Sequence, residues 1–373
     1  MTAPLAGLKV IELARVLAGP WIGQTLADLG AEVIKIESPK GDETRAWGPP
    51  FIEVDGEDLS AYFISCNRGK SSIVIDFNDE QDLSRLKALI ADADILIENF
   101  KVGGLQKYGL DYESLAQSCP QLIYASVTGF GQTGPYAHRA GYDYLIQGMG
   151  GIMDLTGAPD GEPQKMGVAF TDIFTGLYGV IGIQAALRHR DNTGEGQHID
   201  LSLFDSIVGV LANQASNYLT TGIAPKRMGN AHPNICPYAV FPAKDGHIII
   251  AVGNDGQFER LCDVLSLGDL AQDKRFITNQ MRVRHRDELT KLIETATKRH
   301  SQRELLSVFE AHTVPAAPIN DLEQLFADPQ VVARDMVIDL DGVPGVRTPL
   351  RFSKSSLSLE KGAPKLGESN HEE

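Results

Sequence analysis

The sequence predicts an α/β protein with a large doubly wound parallel-sheet domain and a smaller α+β domain. Three observations carry this. Strand-length apolar runs alternate with helix-length amphipathic runs over the first hundred residues, which implies a parallel sheet covered on both faces. Gly and Pro fall where helices start and stop. Past about residue 220 the texture shifts to a hairpin followed by charged helices.

In order, Leu8–Leu13 reads as a buried strand, Trp21–Leu29 as a helix and Glu32–Glu37 as a second strand. Pro20 is expected at a first helical position and Gly30 just past the helix end. Ser72–Phe77, Asp79–Ala91, Ala93–Glu98 and Leu122–Ser126 continue as strand, helix, strand and strand. Tyr238–Pro242 and His247–Val252 read as a hairpin, and Ser301-Gln302-Arg303-Glu304 as a helix-opening capping box. The expected division is a large domain over 1–205, completed by 326–373, and a small domain over 206–325. The tail from Gly362 is polar and expected to be loose.

The 373 residues carry a formal charge of −15, from 34 basic and 49 acidic groups. That balance argues against nucleic acid or an anionic membrane as partner, while leaving room for a small anionic ligand held by a local basic cluster. The longest mostly apolar stretch, Ile173–Leu187, is shorter than the ~20 residues a membrane span needs. The opening MTAPLAGLKVIEL has no signal-peptide pattern, and the four cysteines are scattered, so a soluble cytoplasmic protein with reduced thiols is expected. No metal-ligand spacing occurs. The first strand-to-helix turn, Arg15-Val16-Leu17-Ala18-Gly19-Pro20, is not GxGxxG, and there is no phosphate-loop motif.

Ligands are expected at the carboxyl ends of the strands. Asp172, in Gly167-Val168-Ala169-Phe170-Thr171-Asp172, precedes a long apolar helix, so its position alone reads first as an N-cap and second as a nucleophile kept ionised by the helix terminus. Asn99-Phe100 closes a strand at the rim, where the ring either stacks on a base or joins the core. The basic loop Asn67–Ser72 is open between phosphate contact and plain surface, as are Lys40, Arg45, Lys101, Lys107 and Arg139. His232 is the histidine in the most suggestive setting, Gly229-Asn230-Ala231-His232-Pro233.

Laid in order, these segments resemble the family III CoA-transferases, whose members include formyl-CoA:oxalate and carnitine CoA-transferases. The resemblance rests on Arg15–Pro20, Leu29–Glu37, Gly41-Asp42-Glu43-Thr44-Arg45, Glu98-Asn99-Phe100, Ser126–Pro135, Gly141-Tyr142-Asp143, the Asp172 segment and Thr193–Gln197. It is strongest towards the succinyl-CoA:glutarate, or dicarboxylate, branch through Trp47–Phe51, Ala140–Asp143 and Gly229–Tyr238. The resemblance implies an interlocked homodimer with no permanently bound cofactor and a coenzyme A thioester as substrate. It implies Asp172 as nucleophile, passing through an anhydride and an aspartyl-CoA thioester. It places CoA near Leu17, Ala18, Ile75, Asn78, Asn99, Phe100, Lys107, Arg139 and Tyr142, and offers Arg45, Arg227 and His232, with Arg282, for the far carboxylate of a dicarboxylate.

Ser38 and Asn78 stand where formyl-CoA transferase has arginine and lysine, so Lys40, Lys70 or Lys107 is expected to serve the CoA phosphates. The glycine-rich lid of that enzyme is absent. The racemases of this fold use a histidine where this chain has Tyr142, and a phenol with a pKa of about 10 is a poor base at neutral pH. A non-catalytic CoA-binding protein would be expected to lack Asp172.

Overall fold

A computed structural model describes residues 2–54, 56–340 and 342–370. The chain divides into two compact units, the first comprising residues through Ile152, Lys165–Ile223 and Pro329 onward, the second Met153–Gln164 and Ala224–Asp328.

The first unit is built on six parallel strands: β1 (Lys9–Glu12), β2 (Glu32–Glu37), β3 (Lys70–Val74), β4 (Ile95–Glu98), β5 (Ile123–Thr128) and β6 (His198–Ser202). Their order is β3-β2-β1-β4-β5-β6. The chain therefore winds one way from β1 to β3 and the other way from β4 to β6. The reversal falls between β1 and β4, which opens a crevice above their carboxyl ends. One face packs Val10, Ile95, Ile97, Ile123 and Ala125 against α1 (Ala18–Asp28) and neighbouring helices. The other packs Ile11, Ile34, Ile36 and Leu96 with Leu86 and Ile90 of α2 (Glu80–Ala91).

Several expectations shift. Pro20 is the third residue of α1, a place equally free of the i−4 acceptor problem because no first-turn N–H has an intrahelical partner. Gly30 follows the helix end at φ 99°, as its position predicted. β3 begins at Lys70, so the supposed surface loop is already sheet: Lys70 is fully buried and its ammonium donates to Glu12 and Asn67 at 2.9 and 2.8 Å. The described part of the tail, through Asn370, is not loose. Gly367 and Ser369 N–H donate to Ser72, and Val74 N–H to Asn370 Oδ1, so the tail satisfies an edge strand that would otherwise expose its backbone.

The apolar helix is longer than its core stretch suggested. Following the short α3 (Asp143–Met149), α4 runs from Phe170 to Thr193, 24 residues, and an 18-residue stretch of it reaches a mean hydropathy of 1.3, enough by length and composition to cross a membrane. One side packs inside the unit through Thr171, Thr175, Gly176, Gly179, Ile183 and Ala186. Leu177, Tyr178 and Ile181 on the other side are exposed. The glycines set the approach to α1: a Cβ on Gly179 would meet Ile22 at 2.4 Å, and one on Gly176 would meet Ala18 O and Trp21 at 3.0 Å.

The second unit centres on a three-stranded antiparallel sheet, Tyr238–Ala243, Gly246–Ala251 and Ala316–Pro318, packed on helices that bury Phe258, Phe276, Leu289 and Phe309. The Ser301/Glu304 capping box is formed. Pro318 ends the edge strand, where a missing N–H costs nothing.

Candidate active site

The crevice between β1 and β4 holds a cavity of about 430 Å³. Its walls are Arg15–Ala18 after β1, Asn99–Val102 after β4, Val127–Gly129 at the end of β5, the 137–142 loop, Leu203 and Asp172. Small-ligand sites have this size and this place in doubly wound sheets.

The β1 wall is held in an unusual shape. Val16 has φ 72°, a genuine outlier for a β-branched residue. On one side Asn99 clamps Arg15, accepting its N–H at 2.9 Å and donating to its carbonyl at 2.7 Å. On the other, the Asp42 carboxylate accepts the Val16 N–H at 3.3 Å. After this kink α1 begins at Ala18, with no side-chain cap at Leu17.

Asp172 is not the N-cap of α4. It is the third helical residue, and Ala169 is the cap. The capping role falls to Asp143 on α3, whose Oδ1 accepts the N–H groups of Thr171 at 2.8 Å and Asp172 at 3.4 Å. The Asp143 carboxylate is itself held by Gln147 Nε2 at 2.7 Å. Asp172 is only 9% exposed, and its carboxylate makes no hydrogen bond among the described residues. Burial, with the charge of Asp143 added, pushes its pKa up to about 7. The expectation that the helix terminus alone would keep it ionised is thus corrected, because desolvation and a like charge outweigh the dipole.

The structure brings Leu17, Ala18, Asn99, Phe100, Arg139, Tyr142 and Asp172 together on the cavity wall. Ile75, Asn78 and Lys107 do not line it. Ile75 is buried in the core and Asn78 is exposed, hydrogen-bonded to Asp76. The Lys107 ammonium sits 4.5 Å over the Tyr108 ring, which meets Phe77 edge-on, and Phe77 stacks on Phe100. This aromatic row links Lys107 to the cavity rim.

Arg45 is spent elsewhere, donating to both Glu37 oxygens (2.8 and 2.6 Å) and to Pro364 O at 3.0 Å. Lys70 is buried and Lys40 exposed, neither in the cavity. Arg227 and His232 belong to the second unit. Arg227 donates to Asp154 and Gly161 O, and His232 Nδ1 accepts the Asn234 N–H while burial lowers the ring's pKa. Arg282 is fully buried on Cys236 O, Phe276 O and Asp255.

Sequence reasoning did not single out Val16, Asp42, His138 or Asp143. The matched segments Arg15–Pro20, Gly41–Arg45 and Gly141-Tyr142-Asp143 contain three of them without assigning them a role. The basic groups on the wall are Arg15, Lys101 and Arg139, with His138 beside them. No group of three or more potential metal ligands occurs among the described residues. The arrangement is a buried carboxylate with no hydrogen-bond partner among the described residues, on a wall that carries Arg15, Lys101 and Arg139 together with Glu43.

A family model for CoA-transferase family III matches residues 5–370. The chain belongs to CoA-transferase family III. It is 57% identical over 373 residues to a succinate–glutarate CoA-transferase of Agrobacterium fabrum, covering 98% of this chain and 93% of that one. It is 42% identical to succinyl-CoA:glutarate CoA-transferase of Mus musculus, over 98% of this chain and 84% of the relative. A crystal structure of a CAIB/BAIF family protein from Brucella suis superposes with a TM-score of 0.90 at 62% identity, covering 99% of this chain and 98% of that one. As a family III CoA-transferase, the protein acts on CoA thioesters, and the α/β fold with its parallel sheet is the family's.

Proposed function

We propose that this CoA-transferase moves CoA from succinyl-CoA to glutarate, or between closely similar dicarboxylic acids, through covalent intermediates on Asp172. The observation that supports the site is the unpaired Asp172 carboxylate on a cavity wall that also carries Arg15, Lys101 and Arg139. The acid class is supported by the 57% identity to the succinate–glutarate enzyme.

In this reading CoA lies along Leu17, Ala18, Asn99, Phe100 and Tyr142. The Asp172 carboxylate attacks the thioester carbonyl, giving a mixed anhydride and expelling CoA thiolate. The thiolate attacks the Asp172 carbonyl, releasing the donor acid and leaving an aspartyl-CoA thioester. The acceptor carboxylate attacks that thioester, forming a second anhydride and freeing the thiolate again. The thiolate then attacks the acceptor's acyl carbon, giving the new acyl-CoA and regenerating Asp172. Donor and acceptor acids of ordinary pKa are already ionised at neutral pH, so the proton to be lost before attack is the one on Asp172.

The nucleophile must be ionised. With its pKa near 7, Asp172 loses reactivity as pH falls below that value. The expected result is a kcat/KM profile for acyl-CoA that rises with unit slope to about pH 7 and then levels. A profile flat from pH 5 to 8 would exclude Asp172 as the attacking group.

The far carboxylate of a dicarboxylate needs a charge-assisted partner. Arg45 and Arg227 both have donors committed within the chain, Arg45 to Glu37 and Pro364 O and Arg227 to Asp154 and Gly161 O. Wild-type enzyme, with succinyl-CoA as donor, is expected to favour glutarate over valerate in kcat/KM by about ten- to a hundredfold, the value of one such bond. A wild type preferring valerate would end the dicarboxylate reading. A homodimer is part of the proposal, supported by the exposed apolar residues Leu177, Tyr178 and Ile181 of α4 with Val208, Leu219 and Ile223. A cytoplasmic location is supported by four free cysteines.

A further inference from the structure

Left-handed backbone at a β-branched residue persists only where its surroundings over-determine it, and such strain clusters at functional sites. Val16, at φ 72°, is held at both of its backbone polar groups. Its N–H donates to Asp42 Oδ2 at 3.3 Å and Oδ1 at 3.5 Å, and its carbonyl accepts from Cys66 Sγ at 3.5 Å. The next two residues, Leu17 and Ala18, share the cavity wall with Asp172.

Asp42 is itself fixed. Its Oδ1 accepts from Thr44 N at 3.0 Å and Thr44 Oγ1 at 2.8 Å, and Lys35 Nζ lies 3.0 Å from Oδ2. Lys35 also donates to Glu12 and to Ala14 O, at 3.1 and 2.9 Å, and every member of this charge cluster is buried. Burial alone would raise the Asp42 pKa, but Lys35 and the Thr44 bonds outweigh it and hold the carboxylate below its usual range.

We infer that Asp42 is a positioning residue for CoA transfer: it sets the left-handed turn at Val16 and thereby the placement of Leu17 and Ala18 against the group bound to Asp172. Both carboxylate oxygens are in use. An asparagine in its place offers one acceptor oxygen, so either the Oδ1 side loses its bonds from Thr44 or the Oδ2 side loses Lys35 and the shorter Val16 contact. Val16 is then free to relax towards negative φ, and the start of α1 turns away from the geometry that the covalent step needs. Misplacement of a wall far smaller than a residue's width is costly in rate. The inference rests on the reading of Asp172 as nucleophile.

The test measures formation of CoA bound to Asp172, by rapid quench and intact mass, in wild type, Asp42→Asn, Val16→Gly and the double variant. Asp42→Asn is expected to slow adduct formation by about tenfold or more. Glycine adopts φ 72° without penalty, so adding Val16→Gly should restore most of that rate. It should not restore thermal stability, because glycine raises the entropy of the unfolded chain. A purely structural Asp42 predicts the opposite: rate and Tm fall together, and glycine recovers neither. Asp42→Asn forming the adduct at the wild-type rate, or a double variant no faster than Asp42→Asn, overturns the inference. If Asp42→Asn does not fold, Cys66→Ala removes only the donor to the Val16 carbonyl. A severalfold loss that Val16→Gly recovers supports the role of the turn, and an unchanged rate counts against it. A wild type that forms no adduct at all, while still transferring CoA, removes the Asp172 reading and this inference with it.

Discussion

Asp172→Ala is expected to reduce CoA transfer by at least about 10⁴-fold while leaving the fold and CoA binding in place. The carboxylate has no hydrogen-bond partner among the described residues, and Asp143 rather than Asp172 caps α4, so its removal breaks no structural bond. Stability should move in the unexpected direction. Asp172 titrates near 3.8 when unfolded and near 7 when folded, so its favourable contribution is complete below about pH 4 and is lost as pH rises through 7. Above pH 7 the folded state carries the cost of a buried, repelled charge. Each tenfold change in proton affinity is worth about 1.4 kcal/mol, so the upper bound on that cost is a few kcal/mol. Asp172→Asn, which keeps the side-chain volume, should therefore raise Tm at pH 8 and change it little at pH 4. Transfer activity near wild type in the alanine variant would refute the covalent mechanism. An asparagine variant less stable than wild type at pH 8 would refute the electrostatic account of the site.

The sequence revealed those parts of the molecule whose signals are local. The alternation that marks β1, β2, β4 and β5 is a period-and-punctuation signal, and the Ser301/Glu304 capping box is complete within four residues. Asp172 stood out because a carboxylate precedes a long apolar run. What sequence could not give was pairing across distance. Lys35, Lys70 and Arg45 look like ordinary surface cations, and only the sheet shows Glu12 directly opposite Lys35 in the β1–β2 register. Asp143 acquires meaning 29 positions before Asp172 only because α3 packs beside the start of α4. β6 was missed although His198-Ile199-Asp200-Leu201-Ser202 alternates polar and apolar as a half-buried strand does, and it completes the sheet beside β5. Arg45 illustrates the converse error. It matched a plausible functional motif, yet its geometry is that of a bidentate ion pair with Glu37 roofed by the Phe63 ring.

The buried charges make the second large effect. Lys35→Met, which keeps the length of the side chain and removes its charge, is expected to destabilise the protein by about 3–5 kcal/mol at pH 8, the usual cost of stranding a buried counter-ion. Lys35 is flanked by Glu12 Oε1 at 3.1 Å, Asp42 Oδ2 at 3.0 Å and Ala14 O at 2.9 Å, with both ion-pair side chains fully buried. Those carboxylates push the ammonium's pKa above its ordinary value even though burial pulls it down. Lys70 does not replace it, because burial already pulls its own pKa down, and its hydrogen bonds go to Glu12, Asn67 and Pro20 O. The pH dependence separates this account from simple loss of packing. In wild type the depressed pKa of Asp42 stabilises the fold above about pH 4, and that contribution is lost as pH falls through the folded value. In Lys35→Met the sign is expected to reverse: without the Lys35 charge, burial outweighs the bonds from Thr44 and raises the folded pKa of Asp42, so the penalty is greatest at high pH and shrinks as the carboxylate takes up a proton. The gap in stability between wild type and variant should therefore be wide at pH 8 and close substantially by pH 4, as measured by urea unfolding at each pH. A gap of the same size at both values would mean that Lys35 contributes packing volume, and that the charge cluster beneath Val16 is not what holds Asp42 in its ionised state.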